Sequence, residues 1–458
     1  MTRPSTKPPS GMRDFLPGEL LRRRYVIDVV RKVYELYGFA PIETPSIENL
    51  TTLLGKYGAE GDQLLYRILH RRDALKRALE KDEVTEGELS DLGLRYDLTV
   101  PLARVVAQYG DLPRFFKRYQ IQPVWRADRP GRGRFREFYQ CDVDVTGTDS
   151  LLAEADVLTA VAKVLEELGF TDFTIQLNHR RLLSLLIAAA GIDPEQEEGA
   201  LISVDKLDKI GRAGVLEELA GRGIDETGAE RLLELIFREG EESDQELADR
   251  LKERLGSDDA AQAVDELLEI LDIAAGGPAG NRLRLNPGLA RGLGYYTGPI
   301  FEITVEDLAG SLGGGGRYDG LVGMFGKNPV PAVGFSLGLE RILLVMEERD
   351  MYPPLQAGPQ IVLCTLDIER SRAFAVAEKL RRQGLRVELY PEAAKLGKQL
   401  QYADSEGVKA PCAAILGEDE LKNACITLKA LASGVQETVP VDEVATRLDA
   451  LLERPPVD

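Results

Sequence analysis

Residues 126 to 145, RADRPGRGRFREFYQCDVDV, constrain the fold more than any other stretch of this 458-residue chain. They read as a strand, an arginine- and glycine-rich loop, and a second strand. Arg126 falls at the end of the first strand, and Arg129, Arg132 and Arg134 crowd the loop with Gly131 and Gly133. Side chains alternate along a strand. Arg136, Phe138, Gln140, Asp142 and Asp144 therefore share one face, and Glu137, Tyr139, Cys141, Val143 and Val145 share a mostly apolar one. A face carrying a guanidinium, an aromatic ring, an amide and two carboxylates is costly to bury against a core. It suits the floor of a polar pocket. The arginines suit polyphosphate, because each presents a rigid fork of donors.

The length allows two or three domains with proper cores. The apolar share, 44%, is that of an ordinary globular protein. No run approaches the ~18 apolar residues of a membrane helix, and MTRPSTKPPSGMRDF lacks the apolar stretch of a signal peptide. Four widely spaced cysteines (Cys141, Cys364, Cys412, Cys425) without a CxxC pair argue for reduced thiols in the cytosol and against a zinc site. With only His70 and His179 present, a histidine-based metal site or triad is disfavoured.

A formal charge of −19 argues, by itself, against a nucleic-acid partner. Its distribution weakens that argument. Residues 193 to 272 carry 25 acidic and 9 basic side chains, whereas residues 111 to 136 carry eight basic and two acidic ones. Screening over about 8–10 Å makes the local field the relevant one.

The periodicities predict a mobile tail over residues 1–10, a helix from Leu20 to Tyr37 and a strand from Ile42 to Ile47. Leu94 to Val100 reads as another strand, with Arg95, Asp97 and Thr99 on one face. Leu151 to Leu168 reads as a helix capped by Asp149 or Ser150. Residues 195–275 read as an inserted helical subdomain that ends at Gly276-Gly277-Pro278. Strand-like alternation returns over 283–305. The glycine run Gly313 to Gly316, ahead of Arg317-Tyr318-Asp319, implies close approach of backbone to a ligand or to another strand. Gly334 to Met346 reads as strand, turn and helix. After a proline-rich linker at 353–359, alternating strands and helices from Ile361 to Leu416 predict a small α/β domain with a parallel sheet.

Taken together, these motifs resemble the histidyl-tRNA synthetases, which are class II aminoacyl-tRNA synthetases. GFAPIETPSIE (38–48) resembles motif 1 of that class, RADRPGRGRFREF (126–138) motif 2 and GFSLGLERILLVM (334–346) motif 3. RGLGYYTG (291–298) and GGRYDGLV (315–322) are similar to segments particular to the histidine enzymes. RYDLTVP (95–101), REFYQCDVDV (136–145) and SVDKLDKIG (203–211) resemble the eukaryote-type branch. KLGKQLQYAD (395–404) and LGEDELKN (416–423) resemble the C-terminal anticodon-binding domain.

The resemblance implies an α/β fold. It comprises an α+β catalytic core (11–194 and 276–352) with an antiparallel sheet and flanking helices, the helical insertion, and an anticodon-binding domain at 360–458. It implies histidine activation by ATP, then transfer to the 3′ end of tRNA(His). Mg²⁺ would bridge the phosphates with few protein ligands, so no protein metal site is expected. Arg126 and Arg291 are the implied catalytic residues, and Arg291 supplies charge opposite the motif 2 arginine. Arg126, Asp128, Arg134, Phe138 and Arg341 are implied to bind ATP. Asp97, Thr99, Arg126, Gln140, Asp144, Arg291, Tyr295, Tyr296 and Tyr318 are implied to bind histidine. Asp142 carries no role in this reading and is assigned to structure, as are His179 and the cysteines. Pro45 would lie at a homodimer interface. A cytoplasmic enzyme is expected, with neither membrane nor DNA partner. Gly294 stands where the family usually has aspartate after RGL, and Asp128 and Asp144 are shorter than the usual glutamates. A non-catalytic paralogue, the histidine-binding regulatory subunit of ATP phosphoribosyltransferase, is the competing reading. It lacks an anticodon-binding domain and usually loses motif arginines.

Overall fold

The protein is described from a computed structural model covering residues 4–81, 84–291, 294–308, 310–326 and 328–453. Two compact units are present: Arg22–Pro353 with the start of the chain through Asp14, and Pro354 onward with Phe15–Leu21.

The first unit contains strands β1 (Ala40–Pro41), β2 (Ile47–Asn49), β3 (Arg67–Leu69), β4 (Ser90–Leu94), β5 (Phe116–Trp125), β6 (Glu137–Thr146), β7 (Thr174–His179), β8 (Leu283–Leu285), β9 (Pro299–Thr304), β10 (Ser311–Arg317) and β11 (Ala332–Gly338). Eight of these form one sheet in the order β1-β5-β6-β11-β10-β9-β7-β8, and β2-β4-β3 form a small separate one. The large sheet is antiparallel from β5 to β7, with parallel pairs only at its two edges. The apolar face of β6 is core: Cys141 and Val143 are fully buried, and the Tyr34 hydroxyl, from the helix Pro17–Leu36, donates to Cys141 O. The helix Leu152–Glu167 buries nine apolar residues in the same core, because alanine and valine recur there on nearly every side. A buried bidentate pair, Arg317 with Glu154 at 2.6 and 2.8 Å, ties β10 to that helix.

The acidic segment is helical from Pro194 to Ala274, with no strand among its described residues. Ser243 and Ser257 cap two of its helices by accepting from Glu246 N and Ala260 N.

Four local expectations differ from what is seen. The helix Leu152–Glu167 is preceded by Leu151 at its cap position, and Asp149 does not cap it; among the described residues Ser150 Oγ accepts only from Leu152 N, at 3.4 Å. Ile42 to Ile47 is not a strand; pairing is confined to β1 before it and β2 at its end. Leu94 to Val100 is not a strand either: β4 stops at Leu94 and a helix runs from Thr99 to Gln108. Asp97 Oδ1 accepts from Val100 N at 3.0 Å, so the carboxylate starts the helix rather than sharing a strand face. Within 283–305, strand is limited to β8 and β9. Gly292 and Leu293 of the RGLGYYTG motif lie outside the described residues.

The second unit holds β12 (Ile361–Thr365), β13 (Val387–Leu389), β14 (Cys412–Leu416), β15 (Cys425–Ala430) and β16 (Gln436–Pro440), ordered β13-β12-β14-β15-β16. The first three pair in parallel through helical crossovers, as the alternation predicts, and β15 and β16 extend the sheet antiparallel. Gln399 explains part of KLGKQLQYAD. It is 1% exposed, and its amide accepts from Thr365 N and donates to Thr365 O and Ala394 O, which locks its helix to the end of β12.

Candidate active site

A cleft of about 330 Å³ opens over the polar face of the large sheet. Residues opposite one another in antiparallel strands share a face. One row of the sheet runs Gln120, Asp142, Ser336, Gly314, Glu302; the next runs Arg118, Asp144, Gly334, Gly316, Ile300. The glycines are gaps in these rows, and other groups fill them. A Cβ on Gly314 would collide with the Arg291 guanidinium, and one on Gly334 would collide with the Asp144 carboxylate. The glycine run is thus strand β10, flattened so that Arg291 can lie across it.

Arg126, Asp128, Arg134, Phe138 and Arg341 line one part of the cleft. Arg126 follows the last residue of β5, where Arg126 N donates to Arg136 O and closes the hairpin. Its guanidinium lies 4.2 Å from the Tyr96 ring centroid and 5.2 Å from that of Phe138. The loop beyond folds through reciprocal backbone bonds between Gly131 and Arg134 and a left-handed Gly133 (φ 66°). Arg134 pairs with Asp128 at 2.8 Å. Arg341, on the first turn of the helix Leu339–Glu348, donates to Ser311 O. Burial pulls its pKa down, an effect that Glu302 opposes and Arg134 reinforces. Arg291 donates to Glu302 at 2.8 Å and to Phe301 O at 3.3 Å.

Asp97, Thr99, Gln140, Asp144, Tyr295, Tyr296 and Tyr318 line the same cleft. Asp97 is 2% exposed; Tyr57 donates to its Oδ1 at 3.1 Å, and its Oδ2 is buried without a hydrogen-bond partner. Burial raises its pKa. Gln140 Nε2 donates to Ser336 Oγ at 2.7 Å. Tyr295 has its ring centroid 4.9 Å from that of Tyr296 and 6.0 Å from that of Tyr318. Tyr318 donates to Asp144 Oδ1, and Arg118, fully buried, sits 2.7 Å from Asp144 Oδ2. Burial raises the pKa of Asp144, against the opposing pull of Arg118.

Every site residue nominated from the sequence borders this one cleft. The sequence reading missed several neighbours. Tyr57, Arg118, Ser336 and Glu302 each hold a nominated side chain, and only strand register or chain reversal brings them there. Asp142, set aside as structural, also lines the cleft. In GGRYDGLV only Tyr318 of the polar side chains faces inward; Asp319 instead accepts from Arg317 and from Ala332 N. His179 caps the helix Arg180–Ala189 through Nδ1 and contacts Glu266 through Nε2, a structural role as read. Cys141, Cys364 and Cys412 are buried free thiols.

A mainly antiparallel sheet whose polar face carries a motif 2 hairpin, a motif 3 helix and convergent arginines defines a class II aminoacyl-tRNA synthetase. Comparison with known proteins narrows this. The histidyl-tRNA synthetase family model matches residues 11–342, and an anticodon-binding domain model matches residues 360–451. The histidine–tRNA ligase of Cytophaga hutchinsonii is 43% identical over 460 residues, covering 98% of this chain and 100% of its own. That of Gloeobacter violaceus is 42% identical over 456 residues, covering 94% and 96%. The crystal structure of histidyl-tRNA synthetase from Nostoc sp. PCC 7120 superposes with a TM-score of 0.79 at 32% identity, covering 98% of this chain and 100% of that one. The chain belongs to the histidyl-tRNA synthetase family. An ATP phosphoribosyltransferase regulatory subunit/histidyl-tRNA synthetase from Bacillus halodurans, 22% identical with a TM-score of 0.72, shares the fold.

Proposed function

We propose that this chain activates histidine with ATP and transfers it to tRNA(His). The observation that carries the reading is the union, in one cleft, of four arginines with a buried polar pocket. In the first step the histidine carboxylate attacks the α-phosphate, the bond to the β-phosphate breaks, and pyrophosphate leaves with histidyl-adenylate formed. Charge develops on phosphate oxygens, so fixed cations on both sides of the α-phosphate lower the barrier. Arg126 and Arg291 take these positions. Arg134 and Arg341 hold the outer phosphates, Phe138 stacks on adenine, and Asp128 contacts the adenine or ribose region. Asp97, Thr99 and Gln140 hold the α-amino group; Asp144 and Tyr296 bind the imidazole; Tyr295 and Tyr318 wall it. Alignment of the two substrates supplies much of the acceleration. In the second step a hydroxyl of the terminal adenosine attacks the carbonyl and AMP leaves.

Mg²⁺ enters as part of the nucleotide substrate. Among the described residues no group of three or more His, Cys, Asp or Glu side chains is placed to hold a metal. Asp128 and Glu340, which line the cleft beside Arg134 and Arg341, pair with Arg134 and Arg23, and Glu302 pairs with Arg291.

We also propose the division into a tail (1–10), a catalytic core (11–194 and 276–352), a helical insertion (195–275), a linker (353–359) and an anticodon-binding domain (360–458). The second unit offers its own cleft, bordered by Arg370, Phe374, Tyr390 and Lys395, as an RNA-contacting surface. Ile47, two residues from Pro45 on an edge strand of the small sheet, exposes apolar surface, which supports a homodimer through motif 1. No described helix is long and apolar enough to cross a membrane, and the free thiols suit a cytoplasmic enzyme. ATP–pyrophosphate exchange tests the reading. Exchange with histidine and with no other amino acid is expected; histidine binding without exchange would point to a regulatory paralogue instead.

A further inference from the structure

Residues near the start of the chain are tied to both motifs that carry the phosphate-end arginines. The loop between β5 and β6, residues 126–136, has a short rung of its own at its tip, Gly131 with Arg134. Residues 10 to 13 lie against both of its limbs. Arg136 N donates to Gly11 O at 2.8 Å, and Arg136 Nη1 to Ser10 O at 3.4 Å. Gly11 is left-handed (φ 80°), and a Cβ there would meet Pro130 on one limb at 2.9 Å and Arg136 on the other at 2.8 Å. Arg13 reaches further. Its guanidinium carbon stands 3.5 Å from the centroid of the Phe135 ring, and its Nη2 donates to Glu340 Oε2. Phe135 directly follows Arg134, Glu340 directly precedes Arg341, and both line the cleft. Glu340 is 6% exposed and also accepts from Arg23 Nη1 at 2.8 Å through both oxygens. Arg13 therefore bridges the neighbours of two arginines that repel: Arg134, with Arg291 and Arg126, disfavours the charge of Arg341. The spacing of such a pair depends on what anchors each from behind. Arg132 with Glu348 joins the same loop and helix, but both side chains are exposed, and a pair of that kind contributes little.

We propose that residues 10–13 form a strap that sets the phosphate-binding geometry, with Arg13 as its positioning residue. Stacked on Phe135 and paired with Glu340, Arg13 fixes the motif 2 loop to the motif 3 helix, and so fixes the distance from Arg134 to Arg341. This role rests on the histidine-activation reading, in which those two arginines hold the outer phosphates of ATP. A strap that acts through them affects ATP and leaves histidine binding alone.

The test is ATP–pyrophosphate exchange by the full chain, comparing wild type with Arg13→Ala and Arg13→Lys. The KM for ATP and the KM for histidine are measured separately, with thermal melting as a control for folding. Glu340 keeps Arg23 in both variants, so no buried carboxylate is stranded. Arg13→Ala is expected to raise the ATP KM by roughly 3–30-fold, the worth of a cation set over a ring, with the histidine KM held. Arg13→Lys keeps a charge for Glu340 and loses the planar stack on Phe135, so its ATP KM is expected between the two. A folded Arg13→Ala protein with wild-type ATP KM would overturn the proposal. So would ATP and histidine KM rising in step, the mark of a general loosening. Lysine as poor as alanine would overturn the role of Glu340, and lysine as good as arginine that of Phe135. If Arg13→Ala does not fold, Gly11→Ala carries the test: it leaves every charge in place and pushes the strap off the loop. A wild-type ATP KM in that variant overturns the proposal. If wild type gives no histidine-dependent exchange, the functional reading fails separately. ATP titration by calorimetry then still reads the strap, and equal ATP affinity in wild type and Arg13→Ala overturns it.

Discussion

At the end of the cleft proposed to hold the nucleotide phosphates, arginines rest on partners within the protein: Arg134 on Asp128, Arg291 on Glu302, Arg341 on the Ser311 carbonyl. At the floor, the charges are locked. Arg118 is fully buried, and Asp142 and Asp144 are each 2% exposed. Arg134, by contrast, leaves 59% of its side chain open. On the proposed reading a large polyanion enters here and pyrophosphate leaves, so its cations need exchangeable counter-charges. An amino acid is selected by groups that cannot adjust, because a rigid acceptor left unmet penalises the wrong side chain.

The largest effect that would sharpen this contrast is expected for Arg291→Ala. Its exchange kcat should fall by roughly 10²–10³-fold, as for loss of a donor aimed at developing charge, while histidine affinity measured by calorimetry changes far less. Equal loss of both would break the assignment of Arg291 to the transition state.

Gly334→Ala attacks the floor alone. Its Cβ would collide with the Asp144 carboxylate and crowd Val143 O at 3.0 Å. Overpacking of this kind costs about 1–3 kcal/mol, so the melting temperature should drop and histidine KM rise while ATP KM holds. An ATP KM that rises in step would show that the two ends are one mechanical unit.

The third effect is a pH dependence of stability. Asp142 has its pKa raised from 3.8 to about 7 in the fold, chiefly by burial, with Arg118 opposing and Asp144 adding to the rise; Ser336 and Asp97 also face it. Between about pH 4 and 7 the native carboxyl keeps a proton that the unfolded chain has released, so this group makes stability fall as pH rises through that window. Asp142→Asn should flatten the decline in melting curves across it. Parallel curves for the two proteins would count against a shared, strained charge on the floor.

The smallest effect belongs to Glu302→Gln. Removing the resting partner of Arg291 should lower the ATP KM by about 2–5-fold, the scale of a partly exposed ion pair. No change in ATP KM would mean that Glu302 does not compete with phosphate.

Much of the cleft was legible in the chain because β6 lies in the middle of its sheet, where alternation alone separates Gln140, Asp142 and Asp144 from Cys141 and Val143. The helix start at Thr99 was not legible. Asp97 and Thr99 mimic a strand face by spacing, and only the bond from Val100 N to Asp97 shows that the backbone has turned. Asp142 was set aside for a related reason: its difference from Asp144 lies in which oxygen Arg118 and Tyr318 reach, and neither residue is near it in sequence.

By itself, then, the sequence determined what depends on neighbours along the chain: the periodicity of β6, the arginine-glycine hairpin, the alternating strands and helices from Ile361 to Leu416, and the family to which the motifs point. Tertiary structure decided what fills the glycine gaps, which carboxylate each arginine holds, and which buried acceptors remain unmet. Local spacing sets the face on which a side chain stands. Its partner is set by strand register, which here joins Arg118 to Asp144 and Gly334, and Ser336 to Asp142 and Gly314.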